Sequence, residues 1–282
     1  MFRLHTAYGY ANFGFKSVNY CNAKYSDRNL YKAITNSKSQ DFLSFKLIQS
    51  FVVQKAGNAI AECEDVWQKA EKNDVVAIAL SDGATESSFA REWAKELVNA
   101  FVGRSFINRG IDDWLSPLQI NWQQWLSNQN LSWFAKRKAE EGAFATFLSL
   151  EVGSDLSWKA IAIGDSCLFV VRDRILQKSF PLQNSHEFNN RPKLIGTHIK
   201  TANISISKTK GYAQTGDRFY LTTDAIACWV FKQLEANQNP WLKLEQISSQ
   251  DLFGSWVNEL RDRQEIANDD TTLLCLEICC KS

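Results

Sequence analysis

Carboxylate side chains recur at the ends of the strand-like segments of this sequence. Asp82 follows the apolar run of residues 74–81, and Asp165 follows a second run. Asp224 ends a third run, and Asp269 precedes the last one. A single aspartate at the end of a strand usually supports a turn, so the recurrence of the pattern is more informative than any one residue.

An acidic pair, Glu64 and Asp65, adds to this set because it follows the first strand-like segment. Strands that share a sheet can bring their ends to one edge, where clustered carboxylates repel each other unless they bind a cation or a proton. Oxygen ligands without His or Cys favour Mg²⁺ or Mn²⁺ over zinc. Two such ions about 3.5–4 Å apart can bridge a water, lower its pKa and direct it at phosphorus. The residues therefore predict a binuclear metal phosphohydrolase.

The segments that position these carboxylates are predicted to be strands and helices. Runs rich in β-branched or aromatic residues predict strands at 45–55, 74–82, 143–152, 158–166, 167–173, 217–225 and 270–280. Apolar residues near helical spacing predict helices over 87–106, 117–141 and 249–264. Strand runs on both sides of a central helix pair indicate two sheets with helices packed outside them.

The composition describes a globular chain with little electrostatic preference. Its 282 residues are 45% hydrophobic, and 32 lysines and arginines nearly balance 31 aspartates and glutamates. We therefore expect neither a nucleic acid nor a membrane as partner. The seven cysteines, odd in number and scattered, favour reduced thiols, and no run approaches the length of a membrane span. These features predict a cytoplasmic protein.

Seven blocks of sequence, in order, resemble the metal-dependent protein phosphatase 2C family, particularly its bacterial members. The blocks are "GNAIAECEDVW", "ALSDGATES", "GAFATFLSL", "AIGDSCLFVV", "FPLQNSHEFNNRPKLIG", "GDRFYLTTDAIACWV" and "LRDRQEIANDDTTLLCLEI". The resemblance implies an α+β fold, a four-layer α-β-β-α sandwich in which two antiparallel sheets are flanked by helix pairs. Residues 45–282 are expected to form the phosphatase domain, and residues 1–44 an N-terminal extension of unknown structure.

The resemblance also implies a set of metal ligands. By position, Asp82 bridges two ions, Mg²⁺ or Mn²⁺, and Gly83 offers its carbonyl to one of them. Asp224 and Asp269 match further ligands at strand ends. Asp165 matches an aspartate that helps to hold a third, weaker ion.

The acidic pair has a separate implied role. Asp65 and Glu64 match two residues that lie in or next to the metal shell and orient bound water. Asp65 is therefore also an expected ligand. The expected catalytic residues are Asp82, Asp65 and Glu64.

Two features of the family are missing from this sequence. An arginine that precedes the acidic pair and grips the substrate phosphate has no counterpart in "GNAIAE", and Lys55 is a loosely placed substitute. The family also has a histidine just after the "DG" pair that is suited to protonate the leaving group, whereas "ATES" follows that pair here. Glu86 or a metal-bound water is then left as the general acid. The loop-like segment 182–197 corresponds to a flap beside the active site.

The function predicted from the resemblance is hydrolysis of phosphoserine and phosphothreonine in proteins by attack of a metal-bridging water or hydroxide. We expect the enzyme to be a monomer. The missing arginine and histidine leave open a pseudophosphatase, which would bind phosphoproteins or act as a scaffold with little turnover. A haloacid dehalogenase-type phosphatase is excluded because "DDTT" precedes a C-terminal strand, and the absence of GxxxxGK[ST] excludes a P-loop enzyme.

Overall fold

The computed structural model describes residues 43–104, 111–189 and 191–280. The predicted N-terminal extension, residues 1–44, lies almost entirely outside this part of the chain. The first described strand begins at Leu43, close to the start expected for the phosphatase domain. The boundary between the extension and the domain therefore stays a prediction.

The described residues form twelve strands. They are β1 (Leu43–Val53), β2 (Val66–Lys72), β3 (Val75–Ser81), β4 (Phe144–Ala145), β5 (Phe147–Gly153), β6 (Ser157–Ile163), β7 (Cys167–Arg172), β8 (Ile175–Phe180), β9 (Ile195–Gly196), β10 (Ser207–Tyr212), β11 (Arg218–Thr222) and β12 (Thr271–Cys280).

Six α-helices occur in the same part of the chain. They are α1 (Ala90–Arg104), α2 (Ile111–Ser127), α3 (Trp133–Glu140), α4 (Asp224–Glu235), α5 (Pro240–Gln246) and α6 (Gln250–Asp262). Among the described residues, no helix is long and apolar enough to cross a membrane.

Ten of the strands form two antiparallel sheets of five strands each. The first has the order β1-β12-β11-β7-β8 and the second the order β10-β6-β5-β3-β2. The remaining strands, β4 and β9, pair with each other. The last strand of the chain, β12, thus lies inside its sheet, between β1 and β11.

Side chains of the inner strands alternate between two apolar layers, as the two-residue period of a strand requires. On β3, Ile78 and Leu80 face the layer between the sheets, whereas Ala77 and Ala79 face the helices. All four are buried. The small alanines leave room for the large side chains of α1.

Each sheet is covered on its outer face by helices. Trp93 and Leu97 of α1 and Trp122 of α2 pack on the second sheet, and Trp93 and Trp122 meet edge to face at 5.5 Å. On the first sheet, Phe253 and Trp256 of α6 pack in a corresponding apolar layer together with side chains of α4 and α5. Three apolar layers between four layers of backbone confirm the predicted α-β-β-α sandwich.

The single helix predicted over 117–141 is wrong, because the chain forms α2 and α3 there. The hydroxyl of Ser132 accepts a hydrogen bond from the Ala135 amide at 3.3 Å and so caps the start of α3. The apolar spacing continues across the break, which is why the sequence reads as one helix.

Candidate active site

Strand ends from both sheets meet at one cavity of about 700 Å³. Its lining includes Asp82, Gly83, Asp165, Asp224 and Asp269. Antiparallel pairing explains the meeting in the first sheet, because the end of β11 lies opposite the starts of β7 and β12. In the second sheet, the end of β3 and the end of β6 both lie beside the start of β5. The topology thus brings together aspartates that are far apart in sequence.

The backbone around Asp82 is held in place by β5. The Asp82 carbonyl accepts a hydrogen bond from the Thr146 amide at 2.8 Å, and the Asp82 amide donates to the Thr146 hydroxyl at 3.1 Å. That hydroxyl also lies 3.0 Å from the Ser166 hydroxyl, beside Asp165. Thr146 therefore links the turns that carry two of the aspartates, and nothing in its spacing along the sequence indicates this role.

Glycine follows Asp82 because the start of α1 packs directly against it. A Cβ atom at Gly83 would lie 2.9 Å from the carbonyl carbon of Ala90, closer than real side chains approach backbone. The Gly83 amide donates a hydrogen bond to the carbonyl of Glu64 at 3.3 Å. The "DG" pair therefore sits where the acidic pair, the end of β3 and α1 converge.

Asp65 is the most deeply enclosed of the predicted site residues, with 6% of its surface exposed. Its Oδ2 accepts hydrogen bonds from the hydroxyls of Thr272 at 2.7 Å and Thr223 at 3.1 Å. Its Oδ1 is buried without a hydrogen-bond partner. Burying an unpaired carboxylate oxygen is costly unless a proton or a cation joins it. The hydrogen bond from Thr223, which precedes Asp224 in the sequence, connects Asp65 to the other aspartates of the site.

Asp270 fixes the acidic pair to the start of β12. Its two carboxylate oxygens accept hydrogen bonds from the amide of Lys55 at 2.7 Å and from the amide of Glu64 at 2.6 Å. The Arg261 guanidinium donates to the neighbouring Asp269 carbonyl at 2.6 Å. The turn that carries Asp269 is thus held from α6 and from the segment after β1.

The carboxylates act on one another electrostatically. Burial raises the pKa of Asp82 well above its ordinary value, and the charges of Asp65, Asp224, Asp269 and Asp165 raise it further. Burial, followed by the charges of Asp165 and Asp269, raises the pKa of Asp224 to about 7. Burial also raises the pKa of Asp165 to about 6. Aspartates from four separate turns and from the acidic pair therefore form one charged cluster.

The pKa values of the acidic pair are raised as well. Burial is the main cause for both residues. For Asp65, the two threonine hydrogen bonds oppose the effect of burial, and the charges of Asp270 and Asp224 add to it. In the absence of a cation, burial therefore favours the protonated form of both residues.

The donor set fits a hard divalent cation. The carboxylates present oxygen, and the unpartnered Oδ1 of Asp65 is available to a cation. The thiols of Cys63 and Cys167 lie beside Asp65 and Asp165, but burial raises the pKa of both and so favours the protonated form, which is a poor metal ligand. In the part of the chain that the structure describes, no three His, Cys, Asp or Glu side chains are arranged so that they could hold a metal ion.

Several cationic and acidic side chains lie around the cluster. The Lys55 amine forms an ion pair with Asp269 at 3.8 Å, while Lys138 and Arg191 line the cavity itself. Glu86 also lines the cavity. The sequence predicts that Lys55, Glu86 and the flap segment 182–197, which contains Arg191, lie near the site. It does not indicate Lys138, because "KRK" at 136–138 has the pattern of a solvated helix end.

Comparison with known families gives one decisive match. A family model described as Protein phosphatase 2C matches residues 58–273. The chain belongs to the protein phosphatase 2C family. It is accordingly a Mg²⁺/Mn²⁺-dependent protein phosphatase, whose substrates are phosphoproteins. A comparison with curated protein sequences gave no match.

Solved structures show that the phosphatase fold extends over most of the chain. The serine/threonine phosphatase Stp1 from Staphylococcus aureus is 13% identical, with a TM-score of 0.57, and the match covers 83% of this chain and 94% of that one. The serine/threonine phosphatase of S. agalactiae is 12% identical, with a TM-score of 0.54 and coverage of 84% and 99%. The photosystem II phosphatase PBCP is 13% identical, with a TM-score of 0.53 and coverage of 83% and 98%. At these identities the likeness concerns the fold.

Proposed function

We propose that this phosphatase removes phosphate from phosphoserine and phosphothreonine at the cavity where the strand ends meet. The observation that carries the proposal is the charged cluster of buried and half-buried aspartates contributed by both sheets. A cluster of this kind needs a compensating positive charge, and a phosphomonoester brings further negative charge to it. The site therefore suits a reaction in which a bound divalent cation would compensate the negative charge of the aspartates and of the phosphate.

The proposed ligands of two ions are Asp82, Gly83, Asp224 and Asp269, with Asp65 beside them. Asp165 is the proposed ligand of a third ion. When bound, Mg²⁺ or Mn²⁺ supplies a water of lowered pKa and neutralises charge that develops at phosphorus. The burial of Asp65 and Asp165 and the partial burial of Asp82 and Asp224 support the proposal, because charges in a water-poor site interact more strongly.

The chain's own residues orient the reaction. Asp65 is held by two hydroxyls, so its free oxygen points in a fixed direction. We assign Asp65 and Glu64 to orienting the attacking water and Asp82 to holding the reaction centre. Lys138 and Arg191, which line the cavity, are placed to attract the phosphate in place of the family's missing arginine.

The scaffold alternative is not favoured. A pseudophosphatase is typically expected to lose part of its reaction centre, whereas this chain retains each aspartate proposed as a ligand. The missing histidine affects only protonation of the leaving group, a step that Glu86 or water can serve.

The test is hydrolysis of p-nitrophenyl phosphate and of a phosphothreonine peptide with Mn²⁺, Mg²⁺ or EDTA. We expect turnover that requires metal and that falls about 100-fold or more in Asp82→Asn and Asp224→Asn, because each removes charge at the reaction centre. Asp155→Asn is the matched control, since Asp155 lies in the exposed turn between β5 and β6. Turnover that persists in both site variants would refute the assignment of the site.

A further inference from the structure

Two large aromatic side chains stand exposed at the start of α3. Trp133 exposes 75% of its surface and Phe134 exposes 65%. Their rings meet edge to face, with centroids 6.0 Å apart. The Ser132 cap fixes the helix start that carries them. Adjacent exposed aromatic residues on an ordered helix are typical of interaction surfaces rather than of solvated ones.

These aromatic residues share one helix face with charged residues that reach the active site. At about 100° per residue, Trp133, Phe134, Arg137, Lys138 and Glu141 fall within an arc of about 140°. Lys138 and Glu141 line the cavity that contains the aspartates. The opposite side of the helix carries Ala139, which is buried. One continuous face of α3 and its C-terminal end therefore leads from the aromatic pair to the cavity.

The distance along this face matches a short stretch of peptide. Phe134 and Lys138 are separated by about 6 Å along the helix axis, and the cavity adds several ångströms more. An extended peptide advances about 3.3 Å per residue. With a phosphorylated residue in the cavity, the aromatic pair would contact a side chain about three to five positions away.

The charge of the face indicates what kind of peptide fits. Arg137 and Lys138 are exposed cations between the aromatic pair and the cavity, and a phosphorylated residue carries about −1.5 to −2 charges at neutral pH. A phosphopeptide with an apolar side chain at some distance from its phosphate would place the phosphate near these cations and the apolar side chain against the aromatic pair. A lipid surface is less suited, because Glu141 and the aspartate cluster lie at the other end of the same face.

We propose that the outer face of α3, defined by Trp133, Phe134, Arg137 and Lys138, is the docking site for the flanking segment of the phosphoprotein substrate. The inference rests on the proposed function, since it places the phosphorylated residue in the aspartate-lined cavity. It adds a substrate preference: an apolar or aromatic side chain three to five positions from the phosphate. The aromatic pair acts in binding and makes no contact with the reacting atoms.

The test compares phosphothreonine peptides in which one leucine is moved from two to six positions away, on either side, in a Ser/Gly/Asp background. We expect one register to raise kcat/KM about 5- to 10-fold over the leucine-free peptide, since a half-buried leucine contributes a small hydrophobic gain. In Trp133→Ala and Phe134→Ala, this gain is lost. For the leucine peptide of the preferred register, the ratio of its kcat/KM to that of p-nitrophenyl phosphate falls by the same factor in these variants.

Tyr212→Ala is the matched control. Tyr212 exposes 78% of its surface and pairs with Ser157 at the start of β6, whereas Asp165 follows the other end of that strand. We expect this variant to keep the leucine preference. A wild-type enzyme that hydrolyses p-nitrophenyl phosphate but shows no register preference would overturn the docking site and leave the proposed function standing.

Failure of metal-dependent hydrolysis on every substrate would remove both proposals together. A second copy of the chain is another possible occupant of this face. Light scattering on the wild type and on the Trp133→Ala/Phe134→Ala double variant tests for it. A dimer that the double variant converts to monomers, with an unchanged peptide ratio, would assign the face to a second copy of the chain and overturn the docking site.

Discussion

Single atoms decide which substitutions the site tolerates, and Gly83 is the clearest case. Gly83→Ala would place a methyl group 2.9 Å from the backbone of Ala90. We expect the free energy of unfolding to fall by about 1–3 kcal/mol, as in other overpacked sites, and metal-dependent turnover to fall with it. Urea denaturation and p-nitrophenyl phosphate assays measure both effects.

The control for this prediction lies in α1. Among the described residues, no atom lies within 4 Å of a Cβ added at Gly103. Gly103→Ala should therefore stabilise the protein by about 0.5–1 kcal/mol through its higher helix propensity. Equal destabilisation by both substitutions would show that Gly83 owes its identity to something other than the approach of α1.

The hydroxyl of Thr272 has a measurable role at the same scale. Thr272→Val removes the 2.7 Å hydrogen bond to Asp65 and leaves a buried carboxylate with one donor. We expect a loss of about 1–3 kcal/mol in unfolding free energy and weaker metal activation. Thr222→Val is a matched control, because the Thr222 hydroxyl is buried without a hydrogen-bond partner and its removal should be neutral or stabilising. A neutral Thr272→Val would contradict the role of this hydrogen bond.

Residue types at strand ends were sufficient to predict which aspartates lie close together. Asp82, Asp165, Asp224 and Asp269 recur where apolar runs stop, and the fold brings all four to one cavity. Thr146 and Lys138 could not be found in this way. Their contact with the site depends on how β5 and α3 pack, and an isolated threonine or a basic helix end carries no periodic signal.

At the scale of elements, helix α6 positions the turn before β12. Arg261 donates to the Asp269 carbonyl at 2.6 Å and to the Gln54 carbonyl at 3.1 Å. Arg261→Lys loses the planar fork that bonds two carbonyls at once. We therefore expect the Mn²⁺ concentration for half-maximal activity to rise several-fold, roughly as for the loss of one charge-assisted hydrogen bond.

Arg263→Lys provides the comparison for this variant. Arg263 lies at the end of the same helix, where its exposed guanidinium pairs with Glu259 at 2.6 Å. An exposed pair of this kind contributes little, so metal activation should not change. A rise of equal size in both variants would mean that α6 does not act on the site through Arg261.

The helix or strand type of each segment was predicted less accurately than the aspartates at the strand ends. The inner strands β3, β7 and β12 coincide with predicted runs because their apolar residues are continuous. The run 217–225 was predicted as strand throughout, yet α4 begins within it at Asp224. The alanine and isoleucine that follow suit either structure. Tertiary packing decides between them, because the start of α4 must cover the first sheet.

At the scale of the whole molecule, the aspartate cluster links stability to metal and pH. The raised pKa values mean that the folded, metal-free protein holds protons that the unfolded chain releases. Stability without metal should therefore fall as pH rises from the ordinary aspartate range near 4 (about 3.9) through about 6 for Asp165 and about 7 for Asp224. Denaturation in EDTA at pH 5 to 8 measures the trend, and Mn²⁺ should reverse it at pH 8.

Asp82→Asn separates this effect from a general dependence of stability on pH. The variant removes one charge from the cluster, so in EDTA at pH 8 we expect it to be more stable than the wild type and less stabilised by Mn²⁺. Asp155→Asn, in an exposed turn, should follow the wild type. A metal-free protein whose stability does not fall between pH 5 and pH 8 would contradict the raised pKa values.

The position of β12 has a consequence for how the enzyme is made. This strand is the last of those described, and yet it joins β1 to β11 and is preceded by Asp269. A ribosome releases the chain from its N-terminal side, so the first sheet lacks its joining strand until residues up to 280 have emerged. The proposed catalytic centre therefore cannot assemble until these residues have left the exit tunnel, and dephosphorylation cannot begin before that point.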